Sequence, residues 1–193
     1  MRLVEEGLEL KIVINGGHYP GRDCGALGRI SQEAEITREL MSAVAGYLRV
    51  VNYDVLEVQE NDLAEVVQKS NDFGADLFVS IHCNGSVNRN ARGTEVYYFS
   101  PKGAIIAQCI QNQIVHSLET LDRGIKESAT FYVLKQTNCI AVLVETAFIT
   151  NEEDEKILLV KRNEFARAIA RGITDYHVML VHRTGTHCDL SDD

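Results

Sequence analysis

Short apolar runs alternate along the chain with longer segments whose apolar residues recur every three or four positions. The runs predict strands at 11–15, 53–58, 76–81, 94–99, 131–134 and 140–145. The longer segments predict helices after Ser31, after Asp62, near 103–118 and at about 162–176. Because strands and helices alternate, we expect a single α/β domain whose twisted, mostly parallel sheet is covered by helices on both faces.

Local signals mark where some of these elements begin and end. Ser31 is a candidate N-cap for the first helix, and Gly74 is placed to end the second, since glycine readily adopts a left-handed conformation. Residues 178–193 lose the periodicity and end in polar residues. We therefore expect residues 1–177 to form the folded domain and residues 178–193 to form a disordered tail.

Composition narrows the classes of protein that fit this pattern. The 193 residues suffice for one domain, and the net charge of −9 argues against a nucleic-acid-binding protein, which would show a basic surface. The five cysteines are odd in number and widely spaced, which favours folding in a reducing compartment over a disulfide framework. No apolar run approaches the roughly 18 residues of a membrane span, and the acidic N-terminus shows no signal peptide.

Residues capable of chemistry follow three of the predicted strands. The first strand runs into His18, the 76–81 strand runs into His82, and the last strand ends in Glu145, while Glu33 lies in the first turn of the first helix. Ligands bind outside the carboxyl ends of strands in open α/β sheets. Two histidines and a carboxylate are a common catalytic zinc set, and a further carboxylate can act as general base and acid.

Each of these residues also has a simpler structural explanation. His18 could be a turn residue in a glycine-rich loop, and His82 could be a hydrogen-bonded core histidine. A glutamate such as Glu33 is stabilised by the helix dipole in the first turn of any helix. Glu145 is harder to explain structurally, because a carboxylate that closes an apolar run is partly buried and an unpaired buried charge is costly. The four residues together are far more specific than any one alone.

Several segments resemble the type 3 family of N-acetylmuramoyl-L-alanine amidases in sequence, order and spacing. They are SIHCN (80–84), GTEVYYF (93–99), RGIK (123–126), FYVLKQT (131–137) and VLVETAFITNEEDE (142–155). The resemblance covers roughly residues 11–176. It implies that residues 1–177 are an amidase catalytic domain.

The resemblance also implies a reaction and a site. The family hydrolyses the amide bond between N-acetylmuramic acid and L-alanine in peptidoglycan, at the bacterial cell wall and outside the cytoplasm. By match, zinc is held by His18, Glu33 and His82, and the catalytic residue is Glu145. We take Asn84 and Arg123 as candidate substrate contacts, and an activator protein is compatible with the resemblance.

The sequence departs from the family around the first ligand. Relatives usually have Asp-Pro-Gly-His-Gly-Gly, whereas this chain has Asn-Gly-Gly-His-Tyr-Pro at 15–20, so the loop after His18 is longer. Glu35 is a competing helix glutamate, but the spacing to the apolar stripe favours Glu33. Cys83 follows His82, and its thiol is expected on the opposite face of the strand.

Two other functions fit the same residues. One is a catalytically silent module that binds the cell wall and keeps the fold without the chemistry. The other is a zinc hydrolase that cuts a different amide, such as the C-terminal bond of a free peptide. A carboxypeptidase needs a cation for the terminal carboxylate, and the candidates are Arg89, Arg123 and Lys126.

Overall fold

The structure is a computed structural model that describes residues 10–185, with side chains described as far as His182. The strands are β1 (Lys11–Gly16), β2 (Asp54–Val58), β3 (Leu77–Asn84), β4 (Thr94–Tyr98), β5 (Asp122–Glu127) and β6 (Ile140–Phe148). They form one six-stranded sheet in the order β2-β1-β3-β6-β4-β5. The pairs β1–β2, β1–β3, β3–β6 and β4–β5 are parallel, and β4 runs antiparallel to β6. The predicted mostly parallel sheet is confirmed.

Helices cover both faces of this sheet, as the sequence predicts. They are α1 (Glu33–Val50), α2 (Leu63–Phe73), α3 (Pro101–Leu118), α4 (Tyr132–Gln136), α5 (Glu152–Val160) and α6 (Arg162–Gly185). The alternation of strand side chains divides the core, because Ile12 and Ile14 pack with α1, α3 and α6 while Val13 packs with α2 and α4. Over the described residues, none of these helices has the length and apolar character needed to cross a membrane.

Two local predictions are wrong, and two elements of the structure have no counterpart among the predictions. Residues 131–134 lie at and within the short helix α4 rather than in a strand. The strand beside β4 is β5 instead, whose polar DRGIKE sequence lacks an alternating pattern because it is a largely solvent-facing edge strand. Helix α5 was not predicted, although Asn151 caps it. The N-cap of α1 is Gln32, while Ser31 donates its hydroxyl hydrogen to Glu155.

The last helix is longer than its predicted end at residue 176. It continues to Gly185 because Ile173, Tyr176 and Leu180 keep the helical spacing and pack against the core. Residues 178–185, expected in a tail, are therefore helical. Residues 1–9 and 186–193 lie outside the described part of the chain, and a domain boundary at 177 stays a prediction.

Two glycines in helical segments are expected to respond to alanine in opposite directions. Gly74 ends α2 with φ of 68°, so Gly74→Ala should lower the free energy of unfolding by about 1–2 kcal/mol. Gly46 is exposed inside α1 with open space around it, so Gly46→Ala should raise that free energy by about 1 kcal/mol. Denaturant unfolding of both variants measures the difference, and shifts of the same sign would contradict these backbone assignments.

Candidate functional site

The three predicted metal ligands meet at the carboxyl ends of β1 and β3. Glu33 is the first residue of α1 and is only 3% exposed. Its Oε2 lies 3.2 Å from His18 Nε2, and its Oε1 lies 2.9 Å from His82 Nδ1. One candidate ligand atom from each residue falls within 4.8 Å of the others. This compact donor set could hold one metal ion.

Backbone donors fix the Glu33 carboxylate between the two imidazoles. The N–H of Ala26 donates to Oε2 at 2.8 Å, and the N–H of Cys83 donates to Oε1 at 3.0 Å. Burial by itself would raise the pKa of Glu33, but the hydrogen bonds with both histidines outweigh it and hold that pKa far below its ordinary value. Glu35 is exposed, so Glu33, the glutamate that the spacing favours, is the one that lies between the two histidines.

A second carboxylate orients His18. The backbone of His18 is left-handed, with φ of 61°, and its Nδ1 lies 2.7 Å from Asp23 Oδ2. The N–H of Gly25 donates to the other oxygen of Asp23, which holds the aspartate in the loop. The hydrogen bond with Glu33 is the largest cause that raises the pKa of His18 to about 9, against the effect of burial. Sequence reasoning missed this role of Asp23, although its place in the same loop was a usable signal.

Glycines leave room for both imidazole rings. A Cβ atom on Gly17 would lie 2.3 Å from His82 Cε1. A Cβ atom on Gly25 would lie 2.6 Å from both Glu33 Oε2 and His18 Cδ2, and its φ of 67° also favours glycine. Side chains at these two positions would overlap the donor residues, so the glycines let the loop pack closely around them. This close packing supports the fit of the three donors to a metal ion.

Glu145 stands beside this donor set in the sheet. It pairs in register with His82 on β3 and with Glu95 on β4. Among the described residues, its buried Oε2 has no hydrogen-bond partner. Burial raises the pKa of Glu145 to about 7; the charge of His82 opposes this shift and that of Glu33 adds to it. Such a carboxyl group can both accept and release a proton near neutral pH.

The Cys83 thiol takes no part in the donor set. Its Sγ is buried on the other side of the strand, 3.5 Å from Thr146 Oγ1. Burial is the main cause that raises the pKa of this thiol well above its ordinary value. Only the backbone N–H of Cys83 faces the site, as the alternation of strand side chains predicts.

A cluster of polar side chains surrounds Glu95 on the far side of Glu145. Glu95 Oε1 accepts hydrogen bonds from Asn84 Nδ2 at 2.9 Å and from the Tyr97 hydroxyl at 2.7 Å. Its Oε2 accepts from Arg123 Nε at 2.6 Å and Lys126 Nζ at 2.5 Å. Burial favours a raised pKa for Glu95, but these donors outweigh it and the pKa is lowered. We call these five residues the Glu95 cluster.

The Glu95 cluster brings together residues from β3, β4 and β5 that are far apart in the sequence. Asn84 and Arg123, the two candidate substrate contacts, both bind the same carboxylate. Sequence reasoning missed Glu95 itself. Its one signal was an acidic residue in the strand GTEVYYF, two positions before Tyr97 and so on the same face.

A cleft of about 330 Å³ opens beside the two histidines. Its walls are mainly apolar and come from α2, α4 and β6, through Leu63, Val66, Phe131, Tyr132, Val133 and Leu143. A larger hollow of about 700 Å³ lies elsewhere, near Arg89 and the start of α5. None of the predicted ligands lines that hollow, so we place the site at the smaller cleft.

The sequence matches one protein family and several individual proteins. The sequence profile of the family described as N-acetylmuramoyl-L-alanine amidase matches residues 12–175. The chain is 36% identical over 176 residues to N-acetylmuramoyl-L-alanine amidase LytC of Bacillus subtilis, covering 86% of this chain and 35% of LytC. It is 38% identical over 182 residues to the uncharacterised protein YqiI of the same organism, covering 89% of this chain and 87% of YqiI. The chain therefore spans about a third of LytC.

A solved structure gives the same picture. N-acetylmuramoyl-L-alanine amidase AmiC2 of Nostoc punctiforme is similar with a TM-score of 0.82 and 32% sequence identity. The match covers 87% of this chain and 97% of AmiC2. The single α/β domain described above is therefore the fold of a known amidase structure.

The raised pKa of Glu145 predicts a dependence of stability on pH. The pKa of this group is near 4.5 in the unfolded chain and about 7 in the folded protein. Its contribution to the free energy of unfolding is therefore present at low pH and is lost as the pH rises to about 7. Glu145→Gln cannot ionise. In metal-free protein, the free energy of unfolding of wild type should therefore fall by about 2–3 kcal/mol relative to that of Glu145→Gln between pH 5 and pH 8. Chemical unfolding with chelator present tests this, and parallel pH profiles would contradict it.

Proposed function

Because the chain belongs to the N-acetylmuramoyl-L-alanine amidase family, we propose that it uses zinc to hydrolyse the amide between N-acetylmuramic acid and L-alanine in bacterial peptidoglycan. It would act at the cell wall, where that substrate lies. The observation that supports this most directly is the convergence of two features at one sheet edge. A three-residue ligand set lies there beside Glu145, whose buried Oε2 has no hydrogen-bond partner among the described residues.

His18, Glu33 and His82 would hold the zinc. Two imidazoles and one carboxylate are a typical catalytic zinc set, which leaves a further position for water or substrate. When bound, zinc would polarise the scissile carbonyl and lower the pKa of water at the site. Asp23 would hold His18 in the tautomer that carries its proton on Nδ1, because the Asp23 carboxylate accepts a hydrogen bond there.

Glu145 would transfer the proton. Its carboxylate would take a proton from the attacking water and deliver it to the nitrogen of the departing L-alanine. Burial raises the pKa of Glu145 to about 7 in the metal-free protein, so this site accommodates the protonated form as well as the carboxylate, which supports a role in proton transfer. Glu145 pairs in register with His82, so it lies next to the ligand set, and it is not among the three clustered donors.

The substrate would cross the sheet edge on both sides of Glu145. The cleft beside His18 and His82 lies on one side, and the Glu95 cluster lies on the other. We propose Asn84 and Arg123 as substrate contacts. Because both side chains are already held by Glu95, little side-chain freedom would be lost when they bind.

Zinc content tests the ligand assignment. The purified protein should hold close to one zinc per chain, and alanine at His18, Glu33 or His82 should each remove most of it, because a three-residue set has no spare ligand. Glu35→Ala is the matched control, since Glu35 is an exposed glutamate on the same helix turn. Elemental analysis after gel filtration gives the stoichiometry. Zinc lost from Glu35→Ala but kept by Glu33→Ala would show that Glu35, and not Glu33, is the ligand.

Fragment analysis tests the reaction and the role of Glu145. Wild type should release stem peptides with a free N-terminal L-alanine from purified cell walls, as measured by mass spectrometry. Glu145→Gln should keep zinc and release these peptides about 10²–10⁴-fold more slowly, because a general base is lost. Glu127→Gln, an exposed change on β5, should behave as wild type. Peptides shortened only at their C-termini would show a carboxypeptidase instead, and normal turnover by Glu145→Gln would remove Glu145 from the mechanism.

A further inference from the structure

The Glu95 cluster presents two cations on the same face of the sheet as Glu145. Glu95 lies opposite Glu145 in the antiparallel pair of β4 and β6. Lys126 lies opposite Tyr97 in the pair of β4 and β5, which places it on the face that carries Glu95. Since neighbouring strands are about 4.8 Å apart, β5 carries its cations about 10 Å from β6.

Glu95 binds more positive charge than it can neutralise. One cation balances one carboxylate, yet Glu95 Oε2 accepts from both Arg123 and Lys126. The three side chains therefore carry a net charge of about +1. The two cationic side chains keep 33% and 37% of their surface exposed, so the surplus charge is accessible to a solute.

The Arg123 guanidinium is held in place but not saturated. Its Nε donates to Glu95, and its Cζ lies over the Phe148 ring at 4.9 Å from the centroid. Its two terminal nitrogens have no hydrogen-bond partner within the described part of the chain. A guanidinium fixed in this way offers two parallel N–H donors, the geometry that a carboxylate accepts.

The proposed substrate carries such a carboxylate on one side only. Once the lactyl carboxyl of N-acetylmuramic acid is in the amide bond, the sugar side has none. The peptide side continues from L-alanine to a γ-linked D-glutamate, whose α-carboxyl group is either free or amidated. That group lies about 6 Å from the departing nitrogen in an extended chain. This reach fits the position of the two cationic groups, because both contact the carboxylate of Glu95 on β4, the strand next to β6.

We propose, on the basis of the function proposed above, that Arg123 and Lys126 bind the free α-carboxylate of the second stem-peptide residue. The enzyme then prefers a carboxylate to a carboxamide at that position. The peptide extends across β4 and β5, and the glycan strand lies toward the cleft beside the two histidines.

Two peptidoglycans polymerised from matched precursors test this preference. They differ only in whether the α-carboxyl group of the second residue is free or amidated, and kcat/KM is measured on each. Wild type should favour the free carboxylate about tenfold, the effect of a partly exposed charge-assisted contact. Arg123→Gln should bring this ratio close to one by raising KM for the carboxylate substrate alone. Arg171→Gln, an exposed change on α6, should leave the ratio unchanged.

Lys126→Gln provides a second variant in case Arg123→Gln fails to fold, because it leaves Arg123 on Glu95. It should also lower the ratio, and thermal unfolding confirms that the protein compared is folded. Equal rates of wild type on both substrates would overturn the inference and leave the proposed function standing. A loss shared equally by both substrates in folded variants would overturn it as well, since the cations would then only support Glu95. Hydrolysis of neither substrate by wild type would overturn the proposed function and the inference with it.

Discussion

The buried carboxylate of Glu33 is the constraint on which the rest of the site depends. A carboxylate in this environment is stable only when its oxygens are fully hydrogen-bonded. Its partners are two histidines and the backbone N–H groups of Ala26 and Cys83, which come from two separate parts of the chain. Satisfying Glu33 therefore fixes the loop after β1, the start of α1 and the end of β3 relative to one another.

The two neighbouring carboxyl groups of Glu95 and Glu145 have pKa values that are shifted in opposite directions. Glu95 and Glu145 face each other across β4 and β6, where two like charges would repel. Glu95 has four donors and a lowered pKa, whereas Glu145 is buried with a pKa raised to about 7. The donors around Glu95 favour its carboxylate form, whereas Glu145 is the group that we propose to transfer protons.

Successive strands of the sheet supply successive parts of the proposed reaction. Of the candidate zinc ligands, His18 follows β1, Glu33 begins α1 and His82 lies on β3. The proposed proton-transfer group lies on β6, and the surplus cations lie on β5. A substrate that crosses the strands at this edge meets them in that order. Such an arrangement suits an extended polymer, because each contact is held by a separate rigid element.

The sequence by itself determined the α/β class, the buried strands and the positions of His18, His82 and Glu145 at strand ends, because buried parallel strands have a strong local apolar signal. Spacing to the apolar stripe of α1 also separated Glu33 from Glu35. Only the tertiary structure decided that β5 is a strand, that 131–134 is not, and that Glu95 gathers Asn84, Arg123 and Lys126. An edge strand lacks an alternating pattern, and the register that joins residues far apart in the chain is set by packing rather than by local sequence.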